Sequence, residues 1–568
     1  MKKIPYGVSD FKKIREKDYY YIDKTKFIEK IEDNSDFLFF LRPRRFGKSL
    51  LISTLESYYD IYYKDNFNDI FKDTYIYKNQ TKLKSSFHII RFDFSRVDVT
   101  DYINSFQEHI IFVINQFIKK YNLPIEFDFQ SPLGRLEILF GYCTLNQLPI
   151  YILIDEYDNF INKILIDNIN SYKDLVTTKE AFYKQFFTML KVGTTGTNAP
   201  IKRMFFTGVS PLALFDVTSG SNIGANISMD DLFNNMVGVS RDELDEMISY
   251  YKFDSIKDKI ISRTNEWYNG YRFDENIKDT IYNTDMILYY LKSFIYKNEE
   301  PRNLIDINVR TDYSKLKYLV YTSKKLNGNF DLLNQLIRDE EIIISEIKDN
   351  FSAFEMLEKE NFISFLFALG FVTIQKELFQ IKVRIPNQTI KKIVADFIYS
   401  AFKDVDFNIH LQKFNNLLAN FALNKDLEIF HYLNEVEKTQ SVIRDYIDGE
   451  GFIKGFLTAY LSLNPYYEVK TEFEVTKGFV DILLNPIKDE IVYGAIIELK
   501  YISNSKYSDK LLSEKVEEAK TQLDRYNIKD IKNMVDKPFV KIILVYKGWE
   551  LVYCERYINQ NKGEINAK

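Results

Sequence analysis

Residues 36–55 read DFLFFLRPRRFGKSLLISTL. The apolar run at 36–41 is typical of a strand that is buried in a sheet. After this run, apolar residues recur with helical spacing at Leu50, Leu51, Leu55 and Tyr58. The stretch therefore predicts a strand, an arginine-rich loop and a helix, in that order.

Apolar runs of the same kind recur downstream as FHIIRFDF at 87–94, PIYILIDEYD at 149–158 and MFFTGVSPL at 204–212. The helical stretch YINSFQEHIIFVINQFIKKY at 102–121 separates the first two of these runs. Strands that alternate with helices predict an α/β fold with a mostly parallel sheet covered by helices on both faces.

The pattern changes three times along the rest of the chain. From 228 to 300 it turns helical, which we interpret as a lid. Near 360–400, a helix, a hairpin with Lys382 and Arg384 on one strand face, and a second helix indicate a winged-helix-like module. That hairpin fits either a phosphate contact or an ordinary half-buried hairpin. Beyond 405, helices precede two strands around a turn at Asn485-Pro486. We therefore predict a multidomain α/β protein with parts at 1–225, 226–300, 301–404 and 405–568.

The loop at 42–49 fits the general phosphate-binding pattern GxxxxGK[ST], except that Arg42 occupies the place of the first glycine. In such a loop, backbone N–H groups at a helix N-terminus surround the phosphates. The lysine reaches the β- and γ-phosphates, and the hydroxyl that follows it binds Mg²⁺. The predicted nucleotide-binding residues of this loop are Arg45, Phe46, Gly47, Lys48 and Ser49.

Acidic and hydroxyl side chains follow two of the other apolar runs. Asp155 and Glu156 end the run ILIDE, a pattern that places the first acid at Mg²⁺ and the second beside the attacking water. The alternative for these acids is a buried strand with solvated ends. Thr207 ends FFTG and is either a sensor of the γ-phosphate or a simple strand-end hydroxyl. Ligands bind at such strand ends in open α/β sheets.

These motifs together resemble the AAA-ATPase-like family of P-loop proteins over roughly residues 4–300. The resemblance also rests on Gly7-Val8, YIDKT at 21–25, TGVSP at 207–211, WYNGYRF at 267–273 and IYN at 281–283. Members carry RPRRFGKS or a close variant, so Arg42 departs from the general pattern but not from this family. Thr284 stands where the family usually has proline. The resemblance implies ATP binding by Lys48, Ser49, Asp155 and Glu156.

A second constellation lies near the C-terminus, in GFVDILL and AIIELKYI. Side chains alternate along a strand, so Glu498 and Lys500 share one face, which Asp481 can meet across a hairpin. Two carboxylates can hold Mg²⁺, and a neighbouring lysine can orient or deprotonate a water. A surface hairpin with an exposed ion pair is the alternative. Gln522 and Tyr526, one helical turn apart, could brace the site.

This arrangement resembles the PD-(D/E)xK nuclease superfamily over roughly residues 405–553, with a restriction-endonuclease-like α/β fold. The resemblance implies that Asp481 and Glu498 are metal ligands, Lys500 is the catalytic lysine and Gln522 is a supporting helix residue. Glu450 matches the upstream acidic position. Two departures are Phe452-Ile453-Lys454, where related sequences commonly have FYH, and Phe479, where they have arginine.

Composition limits the partners. The 568 residues hold 76 Lys and Arg against 81 Asp and Glu, a net charge of −5, so nucleic acid must bind through local basic patches. The two cysteines, Cys143 and Cys554, exclude a disulfide framework and a cysteine zinc cluster. No signal-like or membrane-spanning apolar run occurs, which predicts a soluble protein of the reducing cytoplasm without a membrane partner.

The leading hypothesis is an ATP-binding and ATP-hydrolysing regulator fused to a Mg²⁺-dependent nuclease-like domain that acts on DNA. The alternative is a nucleotide-switched binding or scaffold protein whose nuclease-like domain is inactive. A third reading, in which ATP is only structural, is disfavoured because Glu156 is present. A homo-oligomer or a protein partner is left open by the sequence.

Overall fold

A computed structural model describes the chain in two compact units. The described residues are 1–127, 131–167, 175, 181–212, 224–306, 308–309, 321–322, 325–326, 328–338, 341–349, 351–352, 355–356, 358–403, 411–438, 449–464, 466–475, 478–487, 490–526 and 537–558. Unit one comprises Met1–Lys315 with Ile343–Asn387, and unit two comprises Leu316–Ile342 with Gln388–Lys568. The finer division into four parts stays a prediction.

The elements are numbered along the chain. The described strands are β1 Phe37–Leu41, β2 His88–Asp93, β3 Ile150–Asp155, β4 Ile201–Gly208, β5 Ala225–Asn226, β6 Tyr321–Thr322, β7 Lys325–Leu326, β8 Ile342–Ile344, β9 Thr373–Glu377, β10 Gln380–Arg384, β11 Tyr467–Val475, β12 Gly478–Pro486, β13 Gly494–Ile502, β14 Phe539–Lys547 and β15 Glu550–Tyr557. The described α-helices are α1 Phe11–Glu16, α2 Phe27–Glu32, α3 Lys48–Tyr59, α4 Phe67–Phe71, α5 Tyr75–Lys78, α6 Tyr102–Lys120, α7 Pro132–Leu145, α8 Asn159–Asp167, α9 Phe182–Val192, α10 Arg241–Tyr250, α11 Lys257–Tyr268, α12 Thr284–Lys297, α13 Gly328–Ile337, α14 Lys359–Leu369, α15 Gln388–Lys403, α16 Leu411–Asn424, α17 Glu428–Lys438, α18 Glu450–Ser462 and α19 Asp509–Arg525.

Unit one is built on a five-stranded sheet in the order β2-β3-β4-β1-β5. Its strand pairs are all parallel, so the predicted parallel sheet is confirmed. β3 is buried along its whole length, and β1 along all but its first residue, which explains their uninterrupted apolar sequences. Because β4 lies between β1 and β3, the phosphate-loop sequence, Thr207 and Asp155 come together at one edge of the sheet.

The later part of unit one is helical where a lid was predicted. Ser240 caps α10 in a reciprocal arrangement with Glu243. Farther along, α14 precedes the antiparallel hairpin of β9 and β10, which β8 joins in a three-stranded sheet. The helix and hairpin are therefore present, and the winged-helix assignment stays a prediction.

Unit two contains a mixed sheet in the order β11-β12-β13-β14-β15. β13 and β14 run parallel and are connected through α19, whereas the other pairs are antiparallel. The segment 468–486, expected as one strand, forms two antiparallel strands, β11 and β12, and Gly478 begins the second with φ 145°. Asn485 and Pro486, where a turn was predicted, instead end β12 and pair with Glu468 and Tyr467. In the described parts of the chain, no helix has the length and apolar character needed to cross a membrane.

Candidate functional sites

The phosphate-loop sequence forms a tight turn before α3. Gly47 precedes the helix with φ 105°, a left-handed conformation that glycine adopts without steric cost. The ammonium of Lys48 donates to the carbonyl oxygens of Arg42, at 2.8 Å, and Pro43, at 2.9 Å. Burial lowers the pKa of Lys48, and the Glu156 and Asp155 carboxylates oppose that shift. The lysine is thus held over its own loop.

Arg42, at the place of the first glycine, is a buried anchor of the loop. It is 1 % exposed, and burial lowers its pKa to about 9. Its guanidinium donates to the carbonyls of Leu41 at 2.9 Å, Ser228 at 2.5 Å and Phe233 at 3.1 Å. It also lies 4.1 Å from the ring centre of Phe273. The departure from the general pattern is therefore a structural element of this fold.

We expect the Arg42→Gly variant, which restores the general glycine pattern, to destabilise unit one. Losing these hydrogen bonds leaves buried carbonyls without donors, which costs at least about 3 kcal/mol of unfolding free energy. Urea unfolding followed through the buried Trp267, in a Trp549→Phe background, measures the change. Arg241→Ala removes an exposed pair and is the control, expected to change the unfolding free energy by about 0.5 kcal/mol or less. An equal effect of both variants would contradict the anchoring role.

The start of α12 braces the same loop. The Thr284 hydroxyl donates to the carbonyl of Phe46 at 2.8 Å, so the residue that departs from the family's proline makes a bond that proline lacks. Arg45 pairs with Asp285 at 3.2 Å. The ring of Phe46 is buried, 4.9 Å from the ring centre of Tyr271 in the WYNGYRF motif. Phe46 and Arg45 thus hold the loop in place, and their role in nucleotide binding stays a prediction.

The predicted acidic residues lie at the ends of the central strands. Asp155 is 2 % exposed and accepts a hydrogen bond of 2.7 Å from the Thr207 hydroxyl. Thr207 is itself fully buried, so the structure places it beside the acid. Arg91 on β2 lies 3.9 Å from the other oxygen of Asp155. Asp155 is therefore fixed from both neighbouring strands, and a γ-phosphate contact of Thr207 stays a prediction.

Glu156 follows in a left-handed conformation, with φ 51°, which is uncommon for a residue other than glycine. The Asn159 side chain donates to its carboxylate. Burial raises the pKa of Glu156, and the Lys48 charge opposes the rise. Asp158 instead accepts the N–H groups of Val209 and Ser210 and so fixes the TGVSP loop. Asn159 was not predicted, although its position three residues after Glu156 is the available signal.

A cavity of about 630 Å³ opens beside these residues. It is lined by Lys48, Ser49, Glu156 and Asn159 on one side, and by Val8 and Tyr20 from the N-terminal motifs on another. Ligand pockets commonly enclose about 300–1,000 Å³, so the space suits a nucleotide. The residues present fit the implied ATP, since Gly47 keeps the loop open at the start of α3.

The second constellation assembles on adjacent strands of unit two. β12 and β13 pair antiparallel with Ile482 opposite Ile497, which brings Asp481 next to Glu498. The backbone N–H of Leu499 donates to Asp481 at 2.8 Å. Lys500 donates to Glu498 at 2.8 Å. The three predicted residues Asp481, Glu498 and Lys500 are therefore brought together, and each is at most 9 % exposed. A surface ion pair, the alternative reading, is wrong.

Neighbouring helices complete this cluster. Tyr526 donates to the second oxygen of Glu498 at 2.7 Å. Burial, and then the nearby Asp481 charge, raise the pKa of Glu498 to about 7. Glu450 lies near enough for the Asp481 charge, after burial, to raise its pKa. The Oε1 atom of Gln522, one turn before Tyr526, is buried without a hydrogen-bond partner. All six residues predicted to be catalytic, with Glu156 in unit one, are thus described, and their catalytic roles stay predictions.

Lys454 is the residue of this cluster that the sequence did not identify. Its ammonium donates to Asp481 at 2.7 Å and also to Glu472. Burial works against the charge, but Asp481 and Glu472 outweigh it, and the pKa of Lys454 is raised. The available signal was its position in the segment Phe452-Ile453-Lys454, where related sequences commonly carry FYH.

The donor set is of the kind that a divalent ion requires. Mg²⁺ is held in proteins by one or two carboxylates and keeps several waters. Asp481 and Glu498 supply two carboxylates, and the unpartnered Gln522 oxygen is an available polar atom on the adjacent helix. Across the residues that the structure describes, no group of three or more His, Cys, Asp and Glu side chains could share a metal. A two-carboxylate site completed by water is therefore the arrangement that these residues fit.

Comparison with known proteins gives family matches in two separate parts of the chain. Residues 5–218 match the family described as Predicted AAA-ATPase, and residues 448–556 match the PD-(D/E)XK nuclease superfamily. These matches confirm both resemblances, so the chain combines an AAA-ATPase-like domain with a domain of the nuclease superfamily. An uncharacterized protein in the vnfD 5'region of Azotobacter chroococcum mcd 1 is 24 % identical over 313 residues. That match covers 54 % of this chain and 56 % of the relative, so the chain spans about half the length of that protein.

Solved structures give more distant matches. The ORC2 protein of Aeropyrum pernix, in its ADPNP–ADP complexes, is 10 % identical, with a TM-score of 0.31 over 67 % of this chain and 93 % of that one. CDC6P from Pyrobaculum aerophilum is 10 % identical, with a TM-score of 0.24 over 66 % and 92 %. Likeness at this level carries no argument about function.

Proposed function

We propose that this chain is an ATP-hydrolysing regulator fused to a Mg²⁺-dependent nuclease that cuts phosphodiester bonds in DNA. The observation that carries the proposal is the convergence of Asp481, Glu498 and Lys500 on paired strands. Lys500 donates to Glu498, and the N–H of Leu499, between these two residues, donates to Asp481. ATP binding or hydrolysis in unit one would control access of DNA to these residues. The protein would act in the cytoplasm, where the thiols of Cys143 and Cys554, whose pKa values burial raises to about 12, stay reduced and unreactive.

The side chains of unit two divide the chemistry among them. Asp481 and Glu498 would hold the divalent ion, which when bound offsets the charge that develops on the phosphoryl group. Lys500 orients the attacking water and is itself fixed by Glu498. Tyr526 holds the other oxygen of Glu498, so the carboxylate cannot rotate freely. In unit one, Lys48 and Ser49 would bind the ATP phosphates and Mg²⁺, and Glu156 would orient the water that attacks the γ-phosphate.

The β9–β10 hairpin supports a nucleic-acid partner for unit one. Arg272 lies beside this hairpin, where its guanidinium donates to the side-chain oxygen of Gln375 on β9 at 3.2 Å. Burial, followed by the charge of Arg384, lowers the pKa of Arg272. Lys382 projects from the same strand as Arg384 and pairs with Glu377. Adjacent arginines suit the phosphate backbone, which most protein–DNA hydrogen bonds contact. We therefore propose this hairpin as a local basic patch of the kind that nucleic-acid binding would require at a net charge of −5.

Cleavage of DNA by the purified full chain tests the proposal. With Mg²⁺ present, wild type is expected to cut DNA, Lys500→Ala to lose cutting, and the exposed-site control Lys506→Ala to retain it. ATP is expected to change the cutting rate in wild type but not in Lys48→Ala, whereas Lys64→Ala should behave as wild type. Cutting that survives Lys500→Ala would overturn the nuclease half. ATP turnover that is unchanged in Lys48→Ala would overturn the other half.

A second candidate, a nucleotide-switched binding protein with an inactive nuclease-like domain, is favoured by one observation. Lys454 occupies one oxygen of Asp481, a predicted metal ligand. An inactive domain would show no Mg²⁺ binding that is lost in the Asp481→Ala variant. Calorimetric titration of wild type and Asp481→Ala with Mg²⁺ therefore separates the two candidates.

A further inference from the structure

Lys454 lies in a helix that offers a charge almost no contact with water. The residues of α18 from Phe452 to Ser462 are all buried, and the Lys454 side chain is only 8 % exposed. A buried ammonium is costly unless it is paired. Its partners, Asp481 and Glu472, therefore account for its position.

Glu472 is placed for this contact by an unusual backbone. Thr471 pairs with Ile482 and Phe473 with Val480, so Glu472 lies across from Asp481 in the β11–β12 ladder. Its φ is 48°, in the left-handed region that a non-glycine residue seldom adopts. Such irregularities in a strand redirect a side chain. The Glu472 side chain is 40 % exposed, so it offers the ammonium a second partner nearer to solvent.

The oxygens of the two carboxylates are all engaged by protein donors. Asp481 accepts from Lys454 and from the Leu499 N–H, and Glu498 accepts from Lys500 and Tyr526. Lys500 has a proposed role in the reaction, and the Leu499 and Tyr526 donors are neutral. Lys454 is thus the additional positive charge, on the oxygen of Asp481 that faces α18.

We propose that the Lys454 ammonium is a resident cation of this site, which a divalent ion must displace from Asp481, and that Glu472 retains the displaced ammonium. The inference deepens the proposed nuclease function and rests on it. Its consequence is a site that binds metal more weakly than its carboxylates alone would. Metal occupancy then depends on the lysine of the segment Phe452-Ile453-Lys454.

Calorimetric titration of the full chain with Mn²⁺ tests this inference without an activity assay. Lys454→Met keeps the apolar stem and removes the charge, and is expected to bind Mn²⁺ about tenfold more tightly. Lys454→Arg keeps the charge and should stay within about threefold of wild type. Lys515→Met removes a lysine that pairs with Glu518 rather than with a predicted ligand, and should also stay within about threefold. Glu472→Gln removes the second partner and is expected to weaken binding by about threefold.

The outcomes separate two failures. Wild-type binding that Asp481→Ala abolishes, together with unchanged or weaker affinity in Lys454→Met, overturns the inference and leaves the nuclease proposal standing. No saturable binding in wild type overturns the nuclease proposal itself. Should Lys454→Met fail to fold, as judged by its thermal unfolding, Glu472→Gln decides, because tighter or unchanged binding there also overturns the inference.

Discussion

Asp481→Asn is expected to reduce Mg²⁺-dependent DNA cleavage by about 1,000-fold or more, equal to about 4 kcal/mol of barrier at 1.36 kcal/mol per tenfold. The substitution removes one of the two carboxylates proposed to hold the metal. Asp481 also accepts from two donors, Lys454 and the Leu499 N–H. These donors bond to different oxygens of Asp481, and an amide has one oxygen and one NH2 group, which is itself a donor. One of the two hydrogen bonds is therefore lost in Asp481→Asn, so the cluster loses its geometry as well as its charge.

The matched control for this variant is Glu474→Gln. Glu474 is exposed on β11 opposite Phe479, in the same sheet but outside the cluster. The Glu474→Gln variant loses one negative charge, as Asp481→Asn does, and is expected to cut DNA as wild type does. Thermal unfolding followed through Trp549 checks that unit two stays folded in both variants. Cleavage by Asp481→Asn above about a tenth of the wild-type rate would contradict the proposed ligand role.

Much of the site chemistry could be predicted because it is local in sequence. A glycine, a lysine and a hydroxyl after a buried strand predict a phosphate-binding loop before a helix, and the structure has such a loop, with Gly47 in a left-handed conformation directly before α3. Strand alternation likewise placed Glu498 and Lys500 on one face, which their 2.8 Å contact confirms. The parallel sheet followed from apolar runs that are buried on both faces.

The remaining features depend on contacts distant in sequence. Arg42 is buried, and the carbonyls of Ser228 and Phe233 that accept its hydrogen bonds lie far from it in sequence. The contact between Lys454 and Asp481 exists because α18 packs against β12, and the two residues lie 27 positions apart in sequence. The left-handed backbone of Glu472 has no signal in its residue type, because glutamate seldom adopts it. Each of these depends on packing, which composition and periodicity do not encode.

Glu156→Gln is expected to lower ATP hydrolysis by about 100-fold or more while leaving ATP affinity within about threefold. Glu156 lines the same cavity as Lys48 and Ser49, and burial raises its pKa, which makes it a better proton acceptor. The glutamine keeps the shape and can still accept from Asn159, which bonds the native carboxylate. The change therefore removes the base and retains the architecture.

This variant also tests the coupling between the two units, because it holds unit one in its ATP-bound state. With ATP, Glu156→Gln is expected to cut DNA at the rate that wild type shows with a non-hydrolysable ATP analogue. Steady-state ATPase assays, nucleotide-binding titrations and parallel DNA-cleavage assays provide the measurements, with the exposed Glu137→Gln on α7 as the charge-matched control. If Glu156→Gln with ATP cuts DNA at the rate of wild type with ATP, although its ATP hydrolysis is lost, then DNA cutting does not depend on ATP turnover. If ATP binding alone controls the nuclease, every ATP-bound form should cut DNA at the same rate. The physical reason is that a ligand shifts an equilibrium only through its differential affinity for the two states.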